Sequence, residues 1–573
     1  MNALNHIVAQ QLRDIGKYLA MQKIAFKPRV YEKAAAAIDD LEKNISDMYT
    51  IDGIKALEKI PGVGVSIAEK IEEFLKTGHI AYYEELRKKE PVDLGELSRV
   101  EGLGPQSIDR FYKKLGVRNL VDLEKAARTG KIAKLEGFGK KSEEKILKGI
   151  SFAKSSGGRF VLGFMMPEIR IIEDRLRKIN HVEKVTVAGS VRRKKETVGD
   201  VDILVVSKKS ALIMDYFVTM PEVALVIAHG STKSSVKLKS GINIDLRVVS
   251  MESYGTALNY FTGSKEHNIA LRVFAMQKGW KLNEYGLFKG KERIAGITEE
   301  ELYKKFGMDY IEPELRENTG ELETALSHKL PKLIGYKDLQ GDLQIQTDWT
   351  DGSDSIEAMA KIALAHGLKY IAVTDHTKRL AMTNGLDEKR ILQQMAEIDR
   401  LNKQFGGVIK ILKGSECDVL KDGSLDLPDN ILAKLDVVGV AIHSFFNLSK
   451  KDQTERIRRA MINPNVDILF HPTGRILNRR AAYDVDIDEL ITVAKKTGTI
   501  MEIDALPERL DLKDEYIRKC VDAGVKMAID SDAHTPAHFD CLEYGIAQAR
   551  RGWATKKDII NAWPLEKMMK ELK

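Results

Sequence analysis

The sequence predicts a multidomain protein of the α+β and α/β classes. It has a helical N-terminal region, a mixed α+β middle and a C-terminal parallel α/β barrel. Three observations lead to this prediction: a helix–G-x-G–helix pattern recurs in the first 150 residues, β-like runs carrying paired acids follow it, and apolar runs alternate with amphipathic helices from residue 338 onward. A chain of 573 residues is long enough for several such domains.

Composition sets the broad class. Hydrophobic residues make up 43% of the chain and charged residues 31%, as in water-soluble globular proteins. No apolar run approaches a membrane span, and the N-terminal stretch lacks a signal-peptide core. Cys417, Cys520 and Cys541 show no paired spacing, so we expect reduced thiols and a cytoplasmic protein. The net charge is +7, and the surplus of Lys and Arg lies in residues 1–335, which favours a polyanionic partner there.

The N-terminal region combines predicted helices with a loose repeat. Residues 1–50 look helical, most clearly in YEKAAAAIDDLEKNI. Each repeat unit reads as a short helix, a G-x-G turn and a second helix, and the glycine pairs are Gly62 and Gly64, Gly102 and Gly104, and Gly137 and Gly139. Glycines let a turn bring backbone N–H groups close to a phosphate, and a helix N-terminus favours the anion. The units resemble helix-hairpin-helix motifs, which hold the DNA backbone without reading its sequence.

The middle of the chain carries the acids. In the stretch VTVAGSVRRKKETVGDVDILVV, Asp200 and Asp202 fall two apart on a predicted strand and therefore share a face. Asp245 lies in a second β-like run. Three carboxylates on neighbouring strands suit two hard divalent ions and in-line phosphoryl transfer. Gly189 and Ser190 can offer backbone N–H groups and a hydroxyl to a phosphate, and Arg192 and Arg193 follow with positive charge.

The pattern GS-x-RR, GDVD and IDLR resembles the nucleotidyltransferase palm of family X DNA polymerases, the relatives of DNA polymerase beta. The resemblance implies that Asp200, Asp202 and Asp245 are catalytic and hold Mg²⁺ or Mn²⁺. It also implies a triphosphate site at Gly189, Ser190 and Arg193. The later YFTGS segment and its helix match the nucleotide-selecting part of these enzymes. That match assigns nucleotide or template contacts to Tyr260, Phe261, Gly263, Asn268 and Arg272, although Lys265 departs from the acid that DNA polymerase beta has there. Lys233, in the separate stretch HGSTKSS, matches a template-contacting lysine of the same family.

The first hairpin carries a further resemblance. The stretch IPGVGVSIAEKIEEFLKTG is similar to the lyase domain of DNA polymerase beta, and Lys70 falls where that family forms a Schiff base with a deoxyribose-phosphate. Lys27, Tyr31 and Lys33 match its 5′-phosphate pocket. A lysine nucleophile needs a lowered pKa, which neighbouring cations supply. Two interpretations stay open: Lys70 forms the Schiff base, or it only contacts a phosphate.

From residue 338 onward the predicted strands end in polar residues that are able to bind metal, as in barrel enzymes. The set resembles the PHP (polymerase and histidinol phosphatase) domain, which implies a distorted (β/α)7 barrel and a metal-dependent nuclease. The implied ligands are Asp351, His376, Glu416, His443, His471, Asp532 and His534. Gln344 and Gln346 replace the family's first two histidines, and a neutral amide is a poorer ligand for zinc-like ions. We therefore expect fewer than three ions of Zn²⁺ or Mn²⁺ in the barrel.

The resemblance covers essentially the whole chain and implies a bacterial or archaeal family X DNA polymerase that fills short gaps in DNA repair. The implied partners are gapped or primed duplex DNA and deoxynucleoside triphosphates, bound by a monomer. The barrel is expected to be a weakened 3′–5′ exonuclease or abasic-site endonuclease. Two alternatives remain: a nuclease or phosphoesterase whose palm only positions DNA, and a nucleotidyltransferase acting on RNA or a small molecule. The expected divisions are a lyase-like domain over 1–88, hairpins over 89–155, the palm over 156–252, a nucleotide-selecting subdomain over 253–316, a linker over 317–337 and the barrel over 338–573.

Overall fold

The computed structural model describes residues 3–39, 41, 44–98, 100, 103–155 and 158–572. The chain divides into two units. The first comprises residues 1–159 with 475–482, and the second comprises residues 160–474 with 483–573. Gly102 of the second hairpin and residues 156 and 157, at the expected start of the palm, lie outside the described residues. Among the described residues, no helix is long and apolar enough to cross a membrane.

The first unit is built from helices around one apolar core. Its helices are α1 (Ala3–Met21), α2 (Lys27–Asp39), α3 (Ile45–Asp52), α4 (Ile54–Glu58), α5 (Val65–Thr77), α6 (Ala81–Lys89), α7 (Leu94–Leu97), α8 (Pro105–Leu115), α9 (Leu120–Arg128) and α10 (Lys140–Ser155). The alanine run lies in α2, as expected from the sequence. Ala34 and Ala35 are fully buried, and their small side chains let the backbone of α2 pack closely on the core.

The three hairpin units share one backbone turn. The N–H groups of Val63, Leu103 and Phe138 each donate to the carbonyl three residues earlier, at 3.0 Å in all three cases. Gly62 and Gly137 have positive φ, which glycine adopts without strain. Gly64 and Gly104 cap the helices that follow. In the third unit the helix before the turn, α9, ends at Arg128, and residues 129–139, with a positive φ at Gly130, lead to α10.

The second unit begins with the predicted mixed domain. A short antiparallel pair joins β1 (Phe160–Val161) and β3 (Thr197–Val198). A five-stranded sheet has the order β2-β4-β7-β6-β5, in which β4 and β7 are parallel and the other neighbours are antiparallel. Its strands are β2 (Val182–Val187), β4 (Asp200–Ser207), β5 (Val223–His229), β6 (Lys233–Leu238) and β7 (Asn243–Val249), and its helices are α11 (Leu162–Arg177), α12 (Gly189–Arg192) and α13 (Ser210–Val218).

A smaller subdomain follows the sheet. It contains α14 (Tyr254–Thr262), α15 (Lys265–Gln277), the antiparallel strands β8 (Trp280–Asn283), β9 (Gly286–Lys289) and β10 (Glu292–Ala295), and α16 (Glu299–Phe306). Residues 317–337, expected as a linker, instead include helix α17 (Glu321–Leu326). Leu322 and Ala325 from this helix, together with Leu333 and Ile334, are buried. Their apolar spacing was hidden by the polar residues between them, and the segment is a folded part of the unit.

The C-terminal barrel is confirmed. Seven parallel strands run in chain order, and a parallel bridge between Ile345 and Ala533 joins the first strand to the segment after the last. The strands are β11 (Gly341–Ile345), β12 (Tyr370–Val373), β13 (Lys410–Asp418), β14 (Val437–Ala441), β15 (Ile468–Leu469), β16 (Ile500–Asp504) and β17 (Met527–Asp530). The helices are α18 (Ile356–Ala365), α19 (Glu388–Phe405), α20 (Asp429–Leu432), α21 (Lys450–Ile462), α22 (Ile487–Thr497), α23 (Asp514–Ala523), α24 (Leu542–Arg551) and α25 (Leu565–Met569).

Candidate active sites

The three acids of the palm lie on two adjacent strands. Strand β4 pairs with β7 in a parallel register that sets Asp202 opposite Asp245 and Asp200 opposite Asn243. Because strand residues two apart share a face, all three carboxylates project from the same side of the sheet. Ser235 on β6 donates a hydrogen bond of 2.6 Å to Asp245, and the Lys233 ammonium lies 2.8 Å from the same carboxylate.

Electrostatics at this point of the sheet favour a cation. Burial is the largest cause that raises the pKa of Asp202, and the neighbouring Asp200 and Asp245 carboxylates add to it. Together they raise this pKa to about 6. Burial also acts to raise the pKa of Asp245, but the Lys233 ammonium and the Ser235 hydroxyl lower it below the ordinary value. Lys233 therefore already compensates part of the negative charge. The oxygen-only donor set fits hard divalent ions such as Mg²⁺ or Mn²⁺.

Gly189 and Ser190 open the short helix α12 directly beside these acids. Gly189 has φ +62°, and a Cβ atom at this position would lie 2.7 Å from the Asp202 Oδ2 atom. Only glycine satisfies both the backbone conformation and the close approach. The Gly-Ser turn is thus fixed next to Asp202, where a phosphate group held by the turn would also be near the carboxylates.

The two arginines after the turn have different surroundings. Arg192 is an ion-pair partner of the buried Glu299, with Nη2 to Oε2 at 2.6 Å, and it also donates to Thr262 at 2.7 Å. Arg316 forms a second, fully buried ion pair with Glu299, and the two arginines outweigh burial to lower the pKa of Glu299 to about 2. Arg192 therefore joins the palm to α16. Neither Glu299 nor Arg316 was singled out from the sequence. Glu299 lies 107 positions after Arg192 and 17 positions before Arg316, so no local pattern connects the three residues.

Arg193 is held at the YFTGS turn. Its Nε atom lies 3.0 Å from Glu317, and its Nη1 atom donates to the Thr262 carbonyl. A Cβ atom on Gly263 would come within 3.0 Å of Nη1, and Gly263 has φ +68°. The structure thus brings together Arg193 and Gly263, two of the residues expected to bind the nucleotide.

The remaining expected nucleotide residues line one small cleft or its edge. Tyr260, Asn268 and Arg272 line the cleft together with Thr256 and Asn283. The Asn268 amide donates to the Tyr260 carbonyl at 2.7 Å, and Arg272 donates to the Asn268 carbonyl at 3.2 Å. Phe261 is not part of the cleft lining.

Phe261 has a different neighbour. The Arg247 guanidinium carbon lies 4.5 Å from the centre of the Phe261 ring, which packs edge-on against Tyr260 at a centroid distance of 5.0 Å. Arg247 follows Asp245 on β7, so the cation–π contact ties the aromatic pair to the strand that carries the third acid. Arg247 lies within the IDLR pattern, but no role was predicted for it.

Lys70 lies on α5 with its expected neighbours. Its ammonium donates to the backbone oxygen and the hydroxyl of Ser66 at 3.0 Å each, and it lies 5.1 Å from the centre of the Tyr82 ring. Burial lowers the pKa of Lys70, and the Lys27 charge lowers it further. Tyr31 is buried, with its pKa raised to about 12 by burial and by Tyr82.

Lys33 lies at the hairpin rather than at the amine. A Cβ atom built on Gly62 would lie 3.2 Å from the Lys33 side chain, so the first G-x-G turn packs directly on this lysine. Lys27 and Lys33 are both exposed, as residues that bind a phosphate from solution must be. The expected phosphate residues and the first hairpin therefore occupy one region of the first unit.

The barrel gathers most of its expected ligands in two groups. Asp351, His376 and His534 form one, and His376, Glu416 and His443 form the other; in each group the possible ligand atoms lie within 4.8 Å of one another. His471 is beside the second group, with Nε2 at 2.8 Å from Glu416. Burial acts to raise the pKa of Glu416, but the nearby histidines His376 and His443 outweigh it and hold the pKa well below the ordinary value. Imidazole and carboxylate donors in these groups fit Zn²⁺- or Mn²⁺-like ions.

Gln344 lies on β11 and Gln346 directly follows that strand, and both form hydrogen bonds to carboxylates. Both are fully buried. The Gln346 amide donates to Glu416 Oε2 at 2.9 Å, and the Gln344 amide faces the Glu502 carboxylate, to which its NH₂ group donates in the orientation that satisfies both groups. An amide N–H directed at a carboxylate is the reverse of metal ligation by imidazole. This corner therefore lacks the imidazole nitrogens that suit zinc-like ions.

Asp532 belongs to neither group. Its carboxylate lies 3.5 Å from the Arg509 guanidinium, which also lies 3.3 Å from Asp504. Arg509 was missed in the sequence, although it comes five positions after the end of β16, where barrel enzymes place site residues. That position relative to the strand end was the signal that could have found it.

Comparisons with known proteins follow the same division of the chain. Family models match the chain as "Helix-hairpin-helix domain" over residues 3–80, "SAM-like Helix-hairpin-helix tandem" over 94–151, "DNA polymerase beta palm" over 167–234 and "DNA polymerase beta thumb" over 257–317. The "DNA polymerase/3'-5' exonuclease PolX" of Bacillus subtilis (strain 168) is 39% identical over 564 residues, which cover 98% of this chain and 97% of that protein.

Two further relatives are shorter. A probable phosphatase of Thermoanaerobacter sp. (strain X514) is 29% identical over 36% of this chain and 83% of its own length. A probable phosphatase of Acetivibrio thermocellus is 28% identical over 31% of this chain and 73% of its own length. Both are similar to the C-terminal part of the chain.

The palm with its three carboxylates, the thumb and the hairpins define an enzyme of the DNA polymerase beta class, so the resemblance seen in the sequence is confirmed. The similarity to the Bacillus subtilis PolX covers these parts and the seven-stranded barrel together. The chain belongs to the PolX family of DNA polymerases. Enzymes of this kind use divalent metal ions and act on DNA and nucleotides.

Proposed function

We propose that this chain is a DNA-directed DNA polymerase that fills short gaps during DNA repair. The observation that carries the proposal is the parallel register of β4 and β7, which sets Asp202 opposite Asp245 with Asp200 on the same face. Burial, together with the neighbouring Asp200 and Asp245 carboxylates, raises the pKa of Asp202 to about 6. A site with this excess of negative charge is suited to bind divalent ions with a triphosphate.

Asp200, Asp202 and Asp245 would hold two Mg²⁺ or Mn²⁺ ions, which would supply activation of the primer 3′ oxygen and neutralisation of the triphosphate. The reaction joins that oxygen to the α-phosphorus and releases pyrophosphate. Gly189 and Ser190 present the turn at the N-terminus of α12 to the phosphates, and Arg193 adds its guanidinium. Ser235 and Lys233 orient the Asp245 carboxylate from the neighbouring strand.

Nucleotide selection belongs to the cleft of the thumb. Tyr260 and Phe261 pack together as a rigid pair and would lie against the sugar, where they leave no room for a 2′-hydroxyl. The half-buried Asn268 and the exposed Arg272 line the same cleft and would contact the base edge and the template strand. Lys233 would reach the template only after it leaves Asp245, so its contact with DNA is coupled to metal binding by that acid.

The first unit would grip DNA on both sides of the gap through its three hairpin turns. We place the end of its lyase-like domain at residue 88 and the end of its hairpin subdomain at residue 155. The lowered pKa of Lys70 supports a second activity, in which the neutral amine attacks the aldehyde of a deoxyribose-phosphate and forms a Schiff base with loss of water. Lys27, Tyr31 and Lys33 would bind the 5′-phosphate beside it.

The barrel would act as a weakened 3′–5′ exonuclease or abasic-site endonuclease. Its two ligand groups can hold fewer than the three ions expected of a complete centre, because Gln344 and Gln346 engage Glu502 and Glu416 instead. His471, Asp532 and Arg509 line the rest of the site. Polymerisation and degradation would thus take place on separate sheets of the second unit.

A substrate panel tests the proposed function. The wild-type protein should extend the primer of a one-nucleotide-gapped DNA duplex with the complementary deoxynucleotide and Mg²⁺ or Mn²⁺, and it should extend poorly with ribonucleotides because of Tyr260 and Phe261. Equal extension of an RNA primer–template, or transfer to a small molecule with none to DNA, would favour the nucleotidyltransferase alternative. Degradation without any extension would favour the nuclease whose palm only positions DNA.

A further inference from the structure

Glu317 joins the palm to the barrel through an ion-pair chain. Its Oε1 atom lies 3.0 Å from Arg193 Nε, 3.1 Å from Arg551 Nη1 and 3.8 Å from Lys195 Nζ. Arg551 is the last residue of the barrel helix α24, and its other nitrogen, Nη2, lies 2.5 Å from Asp514 at the start of α23. The chain Arg193–Glu317–Arg551–Asp514 therefore begins at the triphosphate arginine and ends in the barrel.

Arg551 also contacts Arg193 directly. Its Nη1 atom donates to the Arg193 backbone carbonyl at 2.9 Å. The Arg551 side chain is only 2% exposed, so these charge-assisted hydrogen bonds form away from bulk water, where they are stronger and less screened. Burial acts to raise the pKa of Glu317, but Arg551, Arg193 and Lys195 in that order outweigh it and keep the carboxyl ionised. The barrel thus fixes both the main chain and the acidic partner of Arg193.

The arrangement leaves part of the Arg193 guanidinium available. An arginine has N–H donors on Nε, Nη1 and Nη2. Nε is directed at Glu317 and Nη1 at the Thr262 carbonyl, whereas none of the described residues accepts a hydrogen bond from Nη2. The side chain is 13% exposed. A guanidinium held on two sides and open on the third is pre-oriented for an incoming phosphate.

We propose that Arg551 of the barrel is a positioning residue for nucleotide binding in the palm. It holds Glu317 and the Arg193 carbonyl, and through them it sets the direction of the open Arg193 nitrogen. The inference rests on the proposed polymerase function and extends it, because it gives the barrel a role in polymerisation that is independent of its own metal groups. Loss of Arg551 should weaken binding of the deoxynucleoside triphosphate and leave binding of DNA unchanged.

The test compares Arg551→Ala with Arg170→Ala. Arg170 on α11 forms another ion pair between palm and barrel, 2.5 Å from Glu543, but has no contact with Arg193 or Glu317 in the structure. Arg551→Ala should raise the KM for the deoxynucleotide and its Kd, measured by calorimetry with Mg²⁺, by about tenfold or more, since small displacements of positioning groups carry penalties of this order. Arg170→Ala should leave both within about twofold, and Arg551→Lys should recover part of the loss.

Two readouts separate positioning from general damage. In a Glu317→Gln background the further change Arg551→Ala should add little, because the link is already weakened. The DNA Kd should stay constant in all variants, and thermal unfolding identifies any variant that has lost its fold, in which case Glu317→Gln and Arg551→Lys carry the comparison. An Arg551→Ala protein with wild-type nucleotide Kd and KM would overturn the inference. A wild-type protein that binds nucleotide but incorporates none would instead contradict the proposed function.

Discussion

At the scale of single residues, the environment of Lys70 shows how local packing can prepare a nucleophile. The amine is partly buried on α5, is in contact with Ser66 and Tyr82, and lies close enough to Lys27 for that charge to lower its pKa. Lysine attacks a carbonyl only as the neutral amine, so a lowered pKa increases the reactive fraction near neutral pH. The same amine would still contact a phosphate when it is protonated. The two interpretations differ in chemistry, because only the neutral amine forms a covalent adduct.

Lys70→Ala is therefore expected to abolish any adduct that borohydride traps between the protein and a deoxyribose-phosphate end, since the amine that forms the Schiff base is gone. Lys76→Ala is the matched control: it lies on the same helix, but its ammonium is paired with Glu72 at 3.0 Å and its pKa is raised by that contact. Equal trapping by wild type and Lys70→Ala, or no adduct with the wild type, would leave Lys70 as a phosphate contact only.

At the scale of elements, the three hairpins share a turn closed by the same backbone hydrogen bond. In each unit the last glycine precedes a helix, and in the third unit the exposed Lys140 and Lys141 open that helix. Backbone N–H groups at a helix N-terminus with lysines beside them form an electrostatic contact for a phosphate without base recognition. Such contacts release counterions when they form, so they appear in the salt dependence of DNA binding.

The double change Lys140→Ala/Lys141→Ala should reduce the slope of log affinity against log salt by about 0.7–0.9 for each phosphate contact that is lost. The control Lys88→Ala/Lys89→Ala removes the same charge from the end of α6, outside the hairpins, where Lys89 is paired with Glu85 at 2.6 Å. Slopes from titrations at several salt concentrations check this. A control that changes the slope as much as the hairpin variant would show that net charge, and not the turn, sets DNA binding.

Elements with a local sequence pattern were predictable, and residues whose partners lie far along the chain were not. The strand positions of Asp200, Asp202 and Asp245, the repeated turns and the barrel strands were predictable, because they depend on local periodicity and on glycine spacing. The length of the segment between α9 and α10 in the third hairpin was not, because it depends on where α9 ends and on the positive φ of Gly130. Arg509, Glu317 and Arg551 were not predictable either. Each acquires its role from partners far along the chain, and charged residues are usually solvated.

At the scale of the whole molecule, two sites in the second unit have different degrees of completeness. The palm has its three acids and their supporting groups in place. In the barrel, amide groups replace imidazoles beside Glu416 and Glu502, and the site retains two ligand groups that share His376. The two groups meet at His376, whose Nε2 atom lies 3.6 Å from Asp351 and whose Nδ1 atom lies 3.3 Å from Glu416.

Restoring the imidazoles should therefore strengthen the barrel. Gln344→His with Gln346→His should raise the metal content, measured by mass spectrometry, and the rate of 3′–5′ degradation of a labelled strand, since the other seven expected ligands are present. Either change alone should help less, because one donor would still be missing. A wild-type protein that already carries three ions and degrades DNA as fast as the double variant would show that the glutamines do not weaken the site.

The central claim is that the palm acids carry out polymerisation independently of the metal groups of the barrel, and Asp245→Asn tests it most directly. Both activities are measured in one reaction: extension and degradation of a labelled, gapped duplex. The variant keeps the size of the side chain and its place opposite Asp202 but loses the charge that supports metal binding. We predict a loss of incorporation of more than about 100-fold, with unchanged DNA affinity and unchanged degradation. Incorporation within about tenfold of wild type, or a parallel loss of degradation, would contradict the account.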